Sequence, residues 1–319
     1  MFVSARRDWN AMRSMKSIPV FYRPEQVADS ECFSPSASKP EKVVESWLSK
    51  NFPIDIQSFE PATTEQLVRA HAPHYVEGVL SSMALNGFGN RSKAIAKSLP
   101  FTSGSFLAAA WHAFLNGGVA VSPTSGFHHA EYSGGMGYCT FNGLMVTALD
   151  LLLAENGPTQ VAILDIDAHY GNGTEDIIRT SCESSLIKKG DVLHWTFGKW
   201  EHAIREKQGT AEVWINDLLP GILENLSSAG IILYQAGADP HIDDPMGGNL
   251  TTSQMRRRDK IVFEFCAAKG IPVVWNLAGG YQEPIERVLE LHDNTMRECA
   301  AAYINWAARI SAIVGRHEA

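Results

Sequence analysis

Val161-Ala162-Ile163-Leu164-Asp165-Ile166-Asp167-Ala168-His169 starts as an apolar run and ends in Asp-x-Asp-x-His. An unbroken apolar run this short suits a strand covered on both faces, as in a parallel sheet. Comparable runs occupy residues 18–22, 119–122, 192–197, 231–236 and 273–277. Helical patterns separate them. One starts near Pro40, a good first-turn residue. Another opens at Thr63, with Gln66 three positions on in a capping-box pattern. Others cover residues 103–115 (ending at Gly117-Gly118), 143–154, 211–226, 252–269 (ending at Gly270) and 284–306, the last as one or two helices. Such strand–helix alternation predicts an α/β fold with an open, doubly wound parallel sheet.

Ligands of such sheets sit at the carboxyl ends of the strands, and the polar motifs fall there. Asp165, Asp167 and His169 end one strand, and His128-His129 follow the run at 119–122. Asp239 follows 231–236 through Gly237, and Tyr281 follows 273–277 through Ala278-Gly279-Gly280. Four strands thus deliver polar groups to one edge of the sheet.

Asp167 and His169, two apart in an extended segment, face the same side, and Asp239 can join them from a neighbouring strand end. Two carboxylates and an imidazole suit Zn²⁺ with positions left open for water and substrate. So oxygen-rich a set also suits Fe²⁺, Co²⁺ or Mn²⁺. The plainer alternative is that Asp165 and Asp167 only cap a helix at 171–180. Adjacent imidazoles suit general acid–base work beside a metal-activated water, with Asp165 and Asn172 available to orient one each. The carboxylate-linked imidazole should have the higher pKa. Gly134-Gly135-Met136-Gly137-Tyr138-Cys139 is either a flexible loop or a turn that brings backbone close to a ligand. In that turn Tyr138 would form a wall, and Cys139 is read as a small packed residue, not a nucleophile. Tyr281 is either a buried structural tyrosine or a donor to a developing oxyanion.

The net charge of −8 argues against a generic nucleic-acid binder. The one basic run, Arg256-Arg257-Arg258, is bounded by Asp259 and reads as a solvated helix face. Five cysteines without regular spacing fit a reducing cytosol. No apolar run is long enough to span a membrane, and no signal-peptide pattern is seen. These features point to a cytoplasmic protein. Residues 1–14 are expected to be an N-terminal extension, disordered in this reading, and residues 15–319 one domain; homo-oligomerisation is left open.

Taken in order, these residues resemble the zinc-dependent histone deacetylase family, which includes the bacterial acetylpolyamine amidohydrolases. The resemblance runs from about Lys42 through His71-x-x-x-Tyr75, His128-His129, Gly137-Tyr138-Cys139, the ten residues from Asp165 to Thr174, Gly237-Ala238-Asp239 with Asp244-Pro245, and Gly279-Gly280-Tyr281. It implies the arginase/deacetylase fold, a single open parallel sheet of about eight strands with helices on both faces. It implies a metal held by Asp167, His169 and Asp239. His129 would be the main general base and acid and His128 its electrostatic partner, oriented by Asn172 and Asp165 respectively. A structural K⁺ would sit near Asp165. Tyr281 would polarise the scissile carbonyl, and the Gly137 carbonyl would accept the substrate amide N–H.

The related two-manganese ureohydrolases carry Asp-Ala-His-x-Asp and a later Asp-x-Asp. Here Gly171 and His241 stand at the second-metal positions, which favours one metal.

Other departures concern the substrate. The family's His-Pro-Glu is absent, and residues 34–40 (Ser-Pro-Ser-Ala-Ser-Lys-Pro) occupy its region. The stretch 198–210 is short, with Trp200 the candidate second wall of an acyl tunnel. Residues 86–90 are expected at the substrate rim. Met246 stands where some relatives place an acidic gatekeeper for polyamines. The leading expectation is a metal-dependent hydrolase that removes an acyl group, most simply acetyl, from an amine such as acetyl-lysine. An acetylpolyamine or other small-molecule amidohydrolase is one alternative, an inactive acyl-group binder another.

Overall fold

All six apolar runs form strands, joined by a seventh. In a computed structural model, which describes residues 16–199 and 210–314 (side chains as far as 304), they make one parallel sheet. The strands are β1 (Ile18–Phe21), β2 (Ile54–Gln57), β3 (Val119–Val121), β4 (Val161–Asp165), β5 (Val192–Thr196), β6 (Ile232–Gln235) and β7 (Val273–Asn276). Their order is β2-β1-β3-β7-β6-β4-β5.

The sheet therefore has seven strands among the described residues, not about eight. β5 forms one edge, and beyond the undescribed residues 200–209 the chain is helical from Thr210 to Leu226, so no described segment adds a strand outside it. The seventh strand, β2, has no counterpart in the apolar runs. Its sequence Ile-Asp-Ile-Gln lies on the other edge with Asp55 and Ile56 exposed, and a polar, half-solvated edge strand lacks the buried signature.

Alternation along the strands divides the core between two faces. Ala162 and Leu164 of β4 and Tyr234 of β6 pack with helices α1 (Lys39–Ser49), α7 (Leu219–Leu226), α8 (Thr252–Lys269) and α9 (Glu286–Val314). Val161 and Ile163 of β4 and Leu233 of β6 face α2 (Thr64–Ala70), α3 (Pro73–Leu80), α4 (Lys93–Asn116), α5 (Gly143–Leu153) and α6 (Asn172–Glu183).

Local chemistry sets the helix ends. Thr63 caps α2 and Thr251 caps α8, each in a capping box, with Gln66 and Gln254. α8 stops at Gly270 in the left-handed region, at φ +66°. α4 begins ten residues before the expected 103, because it runs through Pro100 instead of starting after it. The hydroxyls of Ser98 and Thr102 donate to the Ile95 and Leu99 carbonyls near that interruption. The helix expected at 211–226 is a short turn Thr210–Val213, a π-helical turn Trp214–Leu218 and α7, with Pro220 in the first turn of α7.

The reading of 256–258 as a solvated face is wrong for its last member. Arg256 and Arg257 are surface residues paired with Glu298 and Glu212. Arg258 is wholly buried against Asp259. Among the described residues no helix is long and apolar enough to cross a membrane.

Candidate active site

The face of the sheet towards α4–α6 turns polar at its carboxyl edge. Val161, Ile163 and Asp165 share that face of β4, and in register beside Asp165 stand Thr196 of β5 and Gln235 of β6, with Asn276 of β7 beyond. The four central strands β3, β7, β6 and β4 then send loops over this edge, carrying respectively His128-His129, Tyr281, Asp239, and Asp167 with His169.

Asp167, His169 and Asp239 converge, with one ligand atom from each within 4.8 Å of the other two. His169 Nδ1 lies 3.0 Å from Asp167 Oδ1 and 3.0 Å from Asp239 Oδ2. Its Nε2–H donates to the Met246 carbonyl at 3.0 Å, which leaves Nδ1 facing two carboxylates. A lone pair cannot face two anions alone, so that position calls for a proton or a metal ion. In the protein alone the two carboxylates hold a proton there and raise His169 to about 12. Burial opposes charge on Asp167, but His128 and His169 outweigh it and hold its carboxyl well below the usual range. Burial and the like charge of Asp167 push Asp239 up. One nitrogen, two buried carboxylates, and a carbonyl on the far nitrogen of the imidazole form a donor set suited to a divalent cation.

Backbone closes tightly around these three residues. The Gly279 N–H donates to Asp167 Oδ2 at 2.9 Å. A Cβ on Gly279 would stand 2.3 Å from Asp239 Oδ2, so only glycine fits there. Lys39, fully buried at the start of α1, donates to the Ala278 and Gly279 carbonyls at 2.8 and 3.1 Å. Burial lowers its ammonium to about 8 against the pull of Asp239 and Asp167.

The two histidine rings lie 4.1 Å apart between centroids, tilted by 49°, and differ in surroundings. His128 Nδ1–H donates to Asp165 Oδ2 at 2.8 Å, and Nε2 lies 3.6 Å from Asp167 Oδ1. Burial disfavours its charge, but Asp165 and Asp167 prevail and raise it to about 9. His129 Nδ1–H donates to Asn172 Oδ1 at 2.7 Å. The Asn172 amide is itself fixed by donating to Glu131 Oε1 at 3.0 Å. Burial and the neighbouring His128 lower His129 to about 4. The carboxylate-linked ring has the higher pKa, as expected.

A buried scaffold stands behind the pair, and its member Asn142 escaped the sequence reading. Asn142 Nδ2 donates to the Ala130 carbonyl and Thr174 Oγ1 at 3.2 and 3.1 Å, while its Oδ1 caps α5. His71 donates from Nδ1 to the Glu131 carbonyl at 2.9 Å and accepts the Asn142 N–H at Nε2 at 2.8 Å. Tyr75 donates to the Thr140 carbonyl at 2.8 Å. The His71-x-x-x-Tyr75 spacing thus braces the loop from 130 to 142.

Tyr281 is nearly buried, and its N–H donates to Asp244 Oδ2 at 2.8 Å. Burial, then Asp239 and Asp167, push its hydroxyl well above the ordinary value, so it stays a donor. Gly137, at φ +55°, crosses His129 so closely that a Cβ would lie 2.5 Å from Cδ2 of that ring. Tyr138 lies 5.8 Å from the Tyr281 ring. Burial pushes the Cys139 thiol far up, which fits a packing role.

Residues 86–90 back this turn. Gly87 O accepts the Tyr138 N–H at 3.0 Å, and the Phe88 ring lies 5.8 Å from Tyr138. Met246 touches the site through its carbonyl. Trp200 lies outside the described residues. Phe33, which no sequence signal marked, is 60% exposed and stacks on Tyr281 at 6.1 Å, with its edge to Tyr138 at 6.2 Å.

The residues at the ureohydrolase second-metal positions are engaged otherwise. A Cβ at Gly171 would fall 2.6 Å from Asp165 Oδ2, and His241 Nε2 is bonded to Thr252 Oγ1 at 2.9 Å.

Comparisons with known proteins show what the chain is similar to. The histone deacetylase domain model matches residues 36–189. An uncharacterized Picosynechococcus protein is 26% identical over 269 residues, covering 77% of this chain and 86% of its own length. Histone deacetylase 10, chloroplastic, of Oryza sativa is 26% identical over 270 residues, covering 72% of this chain and 59% of its own. The acetylpolyamine amidohydrolase of Mycoplana ramosa is 29% identical over 184 residues, covering 49% of this chain and 50% of its own. The chain therefore spans only part of these two named relatives. The crystal structure of the HDA15 HD domain superposes with a TM-score of 0.66 at 17% identity, covering 94% of this chain and 99% of that one.

Proposed function

Because this chain belongs to the histone deacetylase-like family, we propose that it hydrolyses the amide of an acylated amine, with a divalent cation held by Asp167, His169 and Asp239. The observation that carries this reading is His169 Nδ1, placed 3.0 Å from two buried carboxylates with its other nitrogen already committed. Zn²⁺ fits the donor set, and Fe²⁺, Co²⁺ or Mn²⁺ can replace it. When bound, such an ion supplies Lewis acidity and lowers the pKa of a water at the site.

The protein's own groups divide the remaining work. His129 is the base: its Nδ1 proton is committed to Asn172, so Nε2 is the free lone pair, and its low pKa keeps it neutral near pH 7. His128 stays charged, linked to Asp165, and provides positive potential beside its neighbour. The proton accepted by His129 passes to the leaving amine. Tyr281 donates its hydroxyl hydrogen to the acyl oxygen as negative charge develops there, and the Gly137 carbonyl accepts the amide N–H. Asp165 is already engaged by His128, the Asp167 N–H and Gln235. A K⁺ at that position would rest mainly on backbone carbonyls.

Acetyl is the simplest acyl group, and an acyl-lysine side chain the leading amine. Met246, 41% exposed where an acidic gate would select polyamines, supports that preference. The test is turnover on matched panels of acyl-lysine peptides and N-acetylpolyamines, with and without metal. Metal-dependent cleavage of the peptides is expected. Polyamine preference would move the substrate to small amines, and silence on both panels with metal bound would overturn the hydrolase reading.

A further inference from the structure

Arg258 sits in the middle of α8 with no exposure to solvent. Burying a guanidinium is costly unless its hydrogen bonds are met, so its partners indicate its task. Nη1 donates to the Gly237 carbonyl at 2.8 Å and lies 3.5 Å from the Ile166 carbonyl. Ile166 immediately precedes Asp167, and Gly237 stands two residues before Asp239. Both carbonyls lie where the β4 and β6 ladders have run out: Ile166 N–H makes one of the last bonds, to Gln235 O at 3.0 Å.

The other side of the guanidinium is anchored. Nε donates to Asp259 Oδ1 at 2.8 Å, and Asp259 also accepts from the hydroxyls of Tyr234 at 2.5 Å and Thr295 at 2.7 Å. Tyr234 lies on β6 and Thr295 on α9, so the carboxylate that anchors the guanidinium is itself held from two further elements. The ion pair is oriented, with its positive end towards the two strand ends that carry the carboxylates.

We infer that Arg258 is a positioning residue of the metal site, tying the carboxyl ends of β4 and β6 together so that Asp167 and Asp239 keep their separation. The inference rests on the proposed metal cluster. Nη1 alone reaches both carbonyls while Nε serves Asp259, Nη2 makes no hydrogen bond among the described residues, and the charge adds positive potential beneath two anions. The clamp predicts that the affinity and coordination geometry of the bound ion depend on a side chain that never touches it.

The test uses full-length protein stripped of metal. Zn²⁺ affinity is measured by competition with a chromophoric chelator, and coordination by the visible absorption of the Co²⁺-loaded protein, for wild type, Arg258→Met and Arg258→Lys. The methionine variant should bind Zn²⁺ at least tenfold more weakly and show an altered Co²⁺ spectrum. The lysine variant keeps the charge, but its single nitrogen cannot serve Asp259 and the two carbonyls at once, so it should fold and still lose several-fold in affinity. If Arg258→Met fails to fold, Arg258→Lys decides alone. Wild-type affinity and spectrum in the folded variants would reduce Arg258 to a core ion pair and overturn the clamp while leaving the metal reading intact. Absence of stoichiometric metal binding by wild type would overturn both.

Discussion

Buried cations support the strand ends before Asp167 and Asp239 and the β7 loop that closes on them, whereas acceptors stand behind His128 and His129. On the first side Lys39 holds the Ala278 and Gly279 carbonyls, and Arg258 holds Gly237 beside Ile166. On the second, Asp165 and Asn172 each take one Nδ1 proton. The carboxylate half gathers negative charge in a dry place and needs positive charge to persist. The imidazole half fixes which nitrogen carries a proton, and it separates two chemically identical side chains, one raised to about 9 and one lowered to about 4. On the proposed function this is a division of labour, with a cation seat in one half and a proton address in the other.

The sharpest way to break that division is Asp167→Ala. It removes a proposed metal ligand and the acceptor of the Gly279 N–H together, so metal content and turnover should both vanish. Turnover that survives without metal would remove the cation seat from the mechanism. Tyr281→Phe should keep the metal and lose on the order of 10²–10³ in kcat, read from single-turnover rates with metal content measured in parallel. A near-normal rate would take Tyr281 out of the chemistry.

Gly171→Ala attacks the proton address alone. The added Cβ would meet Asp165 Oδ2 at 2.6 Å and force that carboxylate away from His128. The loss should be on the order of ten- to a hundredfold in kcat/KM with metal content unchanged. Loss of metal instead would show that the halves are not separable.

His71 sharpens the comparison through stability. Burial lowers it to about 4, against about 6.5 for an unfolded histidine. The unfolded chain therefore binds the extra proton between those values. Stability from this group is complete above pH 6.5 and falls as the pH drops towards 4, by up to about 3 kcal/mol. Urea unfolding at several pH values should show a flatter acid dependence for His71→Gln than for wild type, and parallel curves would contradict it. The smallest effect belongs to Phe33→Ala at the mouth. It should alter KM by a few fold and leave kcat nearly unchanged, because Phe33 packs on Tyr281 and Tyr138 but is largely exposed.

Much of the sheet was legible because buried strands carry unbroken apolar runs, and the candidate site because its polar residues follow those runs. Asp165, Asp167, His169, Asp239, His128, His129 and Tyr281 are all brought to the same edge. The supports were hidden, because a lysine among serines and a third arginine in a basic run look like surface residues when only composition and spacing are visible. Lys39 and Arg258 become interior only through contacts with residues far away in the chain. Asn142 and Phe33 carry no local pattern either. The edge strand β2 was missed for the converse reason, since half-exposed residues lose the periodic contrast that marks a strand.

The most direct measurement is a titration of Zn²⁺ into metal-free protein, with bound metal and hydrolysis of an acetyl-lysine peptide followed in the same samples. Activity should rise linearly and level off at one bound ion per chain. Full activity before any metal is added, or a plateau only at two ions, would contradict the single cation seat.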